Sequence, residues 1–280
     1  IHDAPRLRDV EVMMEILRRM GAEVEWGVSP ETRRRFLRVR AARLETFEVH
    51  EFLMREMRSS IFLMGPILGR MKRVRVSYPG GCAIGPRPID YHLRGLQALG
   101  ARIQERYGFI YAETDGLKGA DIHLDFPSVG ATENLMMAAT LAEGVTVIRN
   151  AAKEPEIVDL QNFLNAMGGR VKGAGTDVIR IQGVDQLGRV EHTVIPDRIE
   201  AGTFMLMAAV TEGDVTLENV IPEHVEALSA KLLEMGASVA EERGKVRVSA
   251  RGRLKAVDCK TLPYPGFPTD LQPQMMAVMT

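Results

Sequence analysis

The sequence predicts an α/β protein assembled from repeats of about 70 residues, each with two helices and several short strands. Three observations carry this. A helix ending in a small-residue cap recurs four times, with glycines at 21, 100, 168 and 236, spaced 79, 68 and 68 residues apart. Each glycine suits the left-handed residue that closes a helix. After the caps comes alternating sequence fit for strands, such as Val178-Ile179-Arg180-Ile181 and Val246-Arg247-Val248-Ser249. Between the caps runs a second kind of helix, rich in Ala, Met and Leu on most faces and therefore expected to be buried.

Taken in order, Ile1-His2-Asp3 aligns with Ile148-Arg149-Asn150, the end of a strand. The first capped helix ends at Ile16-Leu17-Arg18-Arg19-Met20-Gly21-Ala22. Leu96-Gln97-Ala98-Leu99-Gly100-Ala101, Leu164-Asn165-Ala166-Met167-Gly168-Gly169 and Leu232-Leu233-Glu234-Met235-Gly236-Ala237 are its counterparts. Of the apolar helices, residues 129–144 parallel residues 199–213. Each leads into a strand, at 145–150 and 215–219. Residues 271–280 align with the start of that same helix. The repeat therefore leads to the expectation of an internal fragment of a longer protein, with N- and C-terminal segments of its own chain as missing partners.

Hydrophobic residues make up 45% and charged residues 26% of the 280, ordinary for a globular chain with room for about two domains. The 36 basic and 37 acidic side chains leave a net charge of −1, against the basic excess of a nucleic-acid binder. The densest basic run, Arg33-Arg34-Arg35, reads as a solvated face. Two distant cysteines, Cys82 and Cys259, form no disulfide framework, so a reducing, cytoplasmic compartment is expected. The longest apolar stretch, residues 61–69, is half a membrane span and contains Pro66; Ile1 opens into polar, charged sequence unlike a signal peptide. No dinucleotide fingerprint, phosphate-binding Walker loop or histidine-rich metal pattern is present. Neither cofactor nor metal is expected.

The densest chemistry lies in Pro79-Gly80-Gly81-Cys82-Ala83-Ile84-Gly85-Pro86-Arg87-Pro88-Ile89-Asp90-Tyr91-His92. Glycines permit close backbone approach and prolines stiffen the loop, so a thiol beside a guanidinium is presented rather than buried. A surface turn with a chance cysteine is the alternative. This stretch, with Ser128-Val129-Gly130-Ala131-Thr132, residues 152–159, Pro196-Asp197-Arg198-Ile199-Glu200-Ala201-Gly202-Thr203 and Phe267-Pro268-Thr269-Asp270, resembles the UDP-N-acetylglucosamine 1-carboxyvinyltransferase family. The five motifs run end to end in the right order.

The resemblance implies two inside-out α/β domains. Residues 1–195 would form three repeats carrying the cysteine loop, and residues 196–280 one repeat plus the start of the next. It implies transfer of the enolpyruvyl group of phosphoenolpyruvate to the 3′-hydroxyl of UDP-N-acetylglucosamine, opening peptidoglycan synthesis, with both substrates between the domains. Cys82 would be the general acid, able to carry a covalent adduct and to be alkylated by fosfomycin. Asp270 would be the base, though the commoner local job of such an aspartate is to N-cap the next helix. Arg58 and Arg87 would face phosphates, whereas each read alone is a surface arginine. Pro88, Ile89, Asp90 and Tyr91, together with Phe126, Pro127, Ser128 and Val129, would hold the nucleotide. Some family members carry lysine where this chain has Phe126, so no charge contact is expected there. Glu154, Asp197, Arg198 and Glu200 would line the cleft or pair between repeats. A Lys-Asn pair before Ile1 and further arginines after Thr280 would complete the site, so the fragment is expected to bind poorly alone.

Three alternatives stand beside this. The shikimate-pathway enolpyruvyl transferase shares the reaction but lacks the cysteine loop. RNA 3′-phosphate cyclases share the repeat but not the charge balance. A non-catalytic paralogue would bind the nucleotide sugar without releasing phosphate.

Overall fold

In the computed structural model, which describes residues 1–80 and 88–280, all four capping glycines are left-handed. Their φ values are +96° at Gly21, +92° at Gly100, +97° at Gly168 and +95° at Gly236, a conformation only glycine adopts without cost. The chain forms two compact units. One holds Ile1–Ala152 and Glu156–Val194, the other Lys153–Pro155 and Ile195–Thr280.

In the first unit, α1 (Arg8–Arg19) leads through its cap into the hairpin β1 (Glu23–Val28) and β2 (Arg35–Arg40). Next come α2 (Glu51–Glu56), a 3₁₀ turn Arg58–Leu63, α3 (Met64–Met71) and β3 (Arg73–Ser77). They are followed by α4 (Asp90–Ala98), β4 (Arg102–Arg106), β5 (Phe109–Glu113) and β6 (Asp121–His123). The unit closes with α5 (Val129–Ala139), β7 (Val145–Arg149), α6 (Pro155–Ala166), β8 (Arg170–Lys172) and β9 (Val178–Gln182). The second unit contains α7 (Arg198–Val210), β10 (Asp214–Glu218), a 3₁₀ turn Pro222–His224, α8 (Glu226–Met235), β11 (Ser238–Glu242) and β12 (Lys245–Ser249). A further 3₁₀ turn, Thr269–Leu271, and α9 (Gln272–Met279) complete it.

One rule builds every sheet. A strand enters, a helix and its glycine cap follow, and the second strand of the ensuing hairpin pairs with the first. Hence the orders β3-β5-β4, β7-β9-β8 and β10-β12-β11, all antiparallel within the triplet, with β6 added parallel to β7. Ile1 and His2 supply the entering strand of the first repeat. Ile1 exchanges two 2.8 Å bonds with Leu37, and His2 bridges Phe36 beside β2. The residues ending three of these entering strands, Asp3, Asn150 and Asn219, are left-handed at φ +57°, +53° and +57°. The alignment of residues 1–3 with 148–150 is thus visible in the backbone.

A third apolar helix, not singled out from the sequence, is α3. Pro66 interrupts the apolar stretch 61–69 in the sequence, but it sits in the first turn of α3, where its missing N–H would have no intrahelical partner. Gly65 lets α3 meet α5: a Cβ there would lie 2.4 Å from the carbonyl oxygen of Asn134. α5 is the buried helix expected, with Ala131, Leu135, Met136 and Ala138 all fully inaccessible. α7 is buried on part of its surface in this chain. Ala201, Met205, Leu206, Ala208 and Ala209 are buried, but Phe204, Met207 and Val210 are 43–49% exposed. Packing by α3 and α4 encloses α5, whereas α7 is covered within its unit on the side of α8 and α9.

Candidate active site

Three segments that are distant in sequence meet at one end of the first unit: the 3₁₀ turn Arg58–Leu63, the start of α4 and the start of α5. Arg58 opens the 3₁₀ turn and its Nη2 donates to the carbonyl of Pro88 at 3.3 Å. Ile89 is buried and pins the chain ahead of α4. Asp90 and Tyr91 are the first two residues of that helix, where a carboxylate suits the positive end of the helix dipole. Arg94, one turn on, binds Asp90 at 2.8 Å and Asp125 at 3.1 Å, and its guanidinium lies 5.0 Å from the Tyr91 ring centre. It thereby clips the start of α4 to the segment Phe126-Pro127-Ser128-Val129.

Ser128 is the N-cap of α5. Its hydroxyl accepts from the Ala131 N–H at 3.3 Å, and its carbonyl accepts from the Thr132 hydroxyl at 2.8 Å. A helix N-terminus of this kind favours anions through its free N–H groups and dipole. Phe126 is exposed, while Pro127, Ser128 and Val129 are half-buried. Beneath this turn the His92 imidazole is buried and stacks on Phe62, with ring centres 6.4 Å apart. Gly130 rests on that pair: a Cβ there would lie 2.9 Å from the Phe62 ring and 3.4 Å from His92 Cε1. Burial, with the Arg58 charge adding to it, lowers the His92 pKa to about 4 against an opposing pull from Asp90. The imidazole is neutral at physiological pH.

Asp270 belongs to the second unit. It lies exposed in the 3₁₀ turn Thr269–Leu271, and the N-cap of α9 is Leu271, without a side-chain capping bond among the described residues. The local reading of Asp270 as a helix cap is therefore corrected. That job belongs to Asp197, whose Oδ1 accepts from the N–H groups of Ile199 at 2.7 Å and Glu200 at 3.1 Å at the start of α7. The Arg198 guanidinium lies 5.6 Å from the Tyr264 ring centre. Glu154 is buried, and its Oε2 has no hydrogen-bond partner among the described residues. Cys82 and Arg87 lie outside the described residues.

The structure thus brings together Arg58, Pro88, Ile89, Asp90, Tyr91 and residues 126–129. It also adds Phe62, Arg94 and Asn134, which sequence reasoning passed over. Asn134 carried a signal, being an amide side chain in a helix rich in Ala, Met and Leu. Among the described residues no cluster of His, Cys, Asp and Glu could hold a metal ion, and no helix is long and apolar enough to cross a membrane.

Residues 1–280 match the family model described as EPSP synthase (3-phosphoshikimate 1-carboxyvinyltransferase). The chain belongs to this family. Among its curated relatives, UDP-N-acetylglucosamine 1-carboxyvinyltransferase 1 of Symbiobacterium thermophilum is 66% identical over 280 residues, covering 99% of this chain and 63% of the relative. Proteins of the same name from Carboxydothermus hydrogenoformans and Caldanaerobacter subterraneus are 54% and 55% identical, covering all of this chain and 65% and 66% of theirs. The chain therefore spans less than two thirds of the length of these relatives. Among solved structures, the enolpyruvyl transferase NikO from Streptomyces tendae aligns with a TM-score of 0.83 at 21% identity, covering 99% of this chain and 66% of that one. EPSP synthase from Acinetobacter baumannii aligns at 0.63 and 24% identity, covering 88% and 57%. These likenesses establish the enolpyruvyl transferase fold for the family member described here.

Proposed function

We propose that the protein transfers the enolpyruvyl group of phosphoenolpyruvate to the 3′-hydroxyl of UDP-N-acetylglucosamine, releasing phosphate, in peptidoglycan synthesis in the cytoplasm. The observation that carries this is the 66% identity over 280 residues to a relative bearing that activity in its name. The geometry agrees. A capped helix N-terminus and an arginine lie in one unit, and both are groups that suit a diphosphate. The shikimate acceptor is less well supported, since the structural relative of that name is only 24% identical.

In the chemistry proposed, the sugar oxygen bonds to C2 of phosphoenolpyruvate as the methylene carbon gains a proton. Cys82 delivers that proton, and Asp270 takes the hydroxyl proton. The resulting tetrahedral adduct then expels phosphate and loses a methyl proton, restoring the enol ether. Arg87 and Arg58 would neutralise phosphate charge, and the backbone of residues 88–91 and 126–129 would hold the nucleotide. A guanidinium beside a thiol favours the thiolate nucleophile, whereas a general acid must keep its proton, and the acid is the role proposed for Cys82 in the addition step. Residues 1–195 and 196–280 are taken as the two domains that carry these groups. No cofactor is invoked.

The test is phosphate release from phosphoenolpyruvate, with and without UDP-N-acetylglucosamine, by the full-length gene product and its Cys82→Ser variant. Release that requires the sugar and falls sharply in the variant is expected, as is loss of activity when fosfomycin adds its mass to Cys82. Absence of release from folded, sugar-binding wild-type protein would overturn the transferase reading in favour of a binding paralogue.

A further inference from the structure

The first unit contains a buried polar junction that the proposed chemistry does not use. Asn134, fully inaccessible near the middle of α5, makes three bonds to three other segments. Its Oδ1 accepts from the Gly65 N–H at 2.8 Å, its Nδ2 donates to the Ile61 carbonyl at 3.2 Å, and the same Nδ2 lies 3.0 Å from His92 Nδ1. The two backbone partners fix the orientation of the amide independently of the histidine, because a flipped amide would face N–H with N–H and carbonyl with carbonyl. His92 Nδ1 must then be the acceptor, so the neutral ring carries its proton on Nε2. Every capacity of the Asn134 side chain directed at these groups is met, the condition under which a buried polar group orders a structure instead of weakening it.

What the junction joins is specific. Ile61 lies in the 3₁₀ turn that Arg58 opens, and His92 lies in the first turn of α4, after Asp90 and Tyr91. Asn134 stands six residues after the Ser128 N-cap of α5, and Gly130 of that same helix start is seated on the Phe62–His92 stack. We infer that Asn134 is a positioning residue for nucleotide-sugar binding, which through His92 and the Ile61 carbonyl sets the spacing of the three segments that receive UDP-N-acetylglucosamine. The inference rests on the proposed function. Loss of the junction would displace binding groups that must converge on one ligand, and misplacement of such groups by even about an ångström is felt in function.

The experiment uses the full-length gene product and steady-state kinetics with each substrate varied in turn, alongside thermal melting. In Asn134→Leu, KM for UDP-N-acetylglucosamine is expected to rise about tenfold, while KM for phosphoenolpyruvate and kcat at saturating sugar change less than about threefold. His92→Leu should behave likewise. His92→Gln, whose Oε1 can accept from Asn134 Nδ2, should keep KM for the sugar within about threefold of wild type. The His92 pair carries the test if Asn134→Leu does not fold. Folded variants with unchanged sugar KM, or with both KM values raised alike, would overturn the inference while leaving the transferase reading intact. Wild-type protein without sugar-dependent phosphate release would overturn the reading and the inference together.

Discussion

Acidification should unlock the first unit through His92, and the size of the effect follows from its burial. The imidazole is neutral in the fold, its pKa lowered from 6.5 to about 4 mainly by desolvation. The unfolded chain therefore binds a proton near pH 6.5 that the folded chain refuses until about pH 4. Stability from this group is complete above pH 6.5 and is lost as pH falls. The full shift is worth about 3 kcal/mol, of which about 2 kcal/mol disappears between pH 7.5 and pH 5. Carboxylates whose pKa values are lowered by ion pairing, such as Asp115, Asp121 and Asp214, have an ordinary value of 3.8 and lose their contribution only below it, so the loss between pH 5 and 6.5 does not come from them. The only tryptophan in the chain, Trp26, lies in the same unit and reports its unfolding. Urea titrations followed by tryptophan fluorescence at pH 5 and 7.5 should show the loss in wild type and a markedly smaller one in His92→Gln. Equal losses in both proteins would refute the assignment of a buried, neutral imidazole.

Three further outcomes are expected. Gly65→Ala places a methyl group 2.4 Å from the Asn134 carbonyl oxygen, backbone that cannot swing aside, and should cost about 1–3 kcal/mol in the same urea titration. Asp197→Ala removes the acceptor of two N–H groups at the start of α7 and should lower the melting stability of the second unit by about 1 kcal/mol, with Asp197→Asn recovering most of it. Asp270→Asn removes the proposed base without removing a helix cap, so phosphate release by the full-length gene product should fall by about 10²-fold or more while the melting temperature stays put.

What the sequence by itself determined is local and periodic. Gly21, Gly100, Gly168 and Gly236 mark left-handed caps because a missing Cβ is a property of one residue, legible without neighbours. The alternating segments after them mark strands because side chains on a pleated chain alternate faces. Repetition then implies that Ile1-His2-Asp3 ends a strand, while the sheet order shared by the repeats came only with the structure. The motifs around residues 58, 88–91 and 126–129 could be named from resemblance, but not their mutual arrangement. Tertiary structure alone decided that Arg94 would reach Asp125, 31 residues away, and that Asn134 would meet His92 and Gly65, at separations of 42 and 69 residues. It also decided which apolar helices are enclosed. α3 hid behind Pro66, and the close approach of Gly65 to α5 has meaning only once both helices are placed. α7 shares the composition of α5, yet leaves Phe204, Met207 and Val210 exposed, because burial is set by what packs against a helix and composition records only what the helix can tolerate.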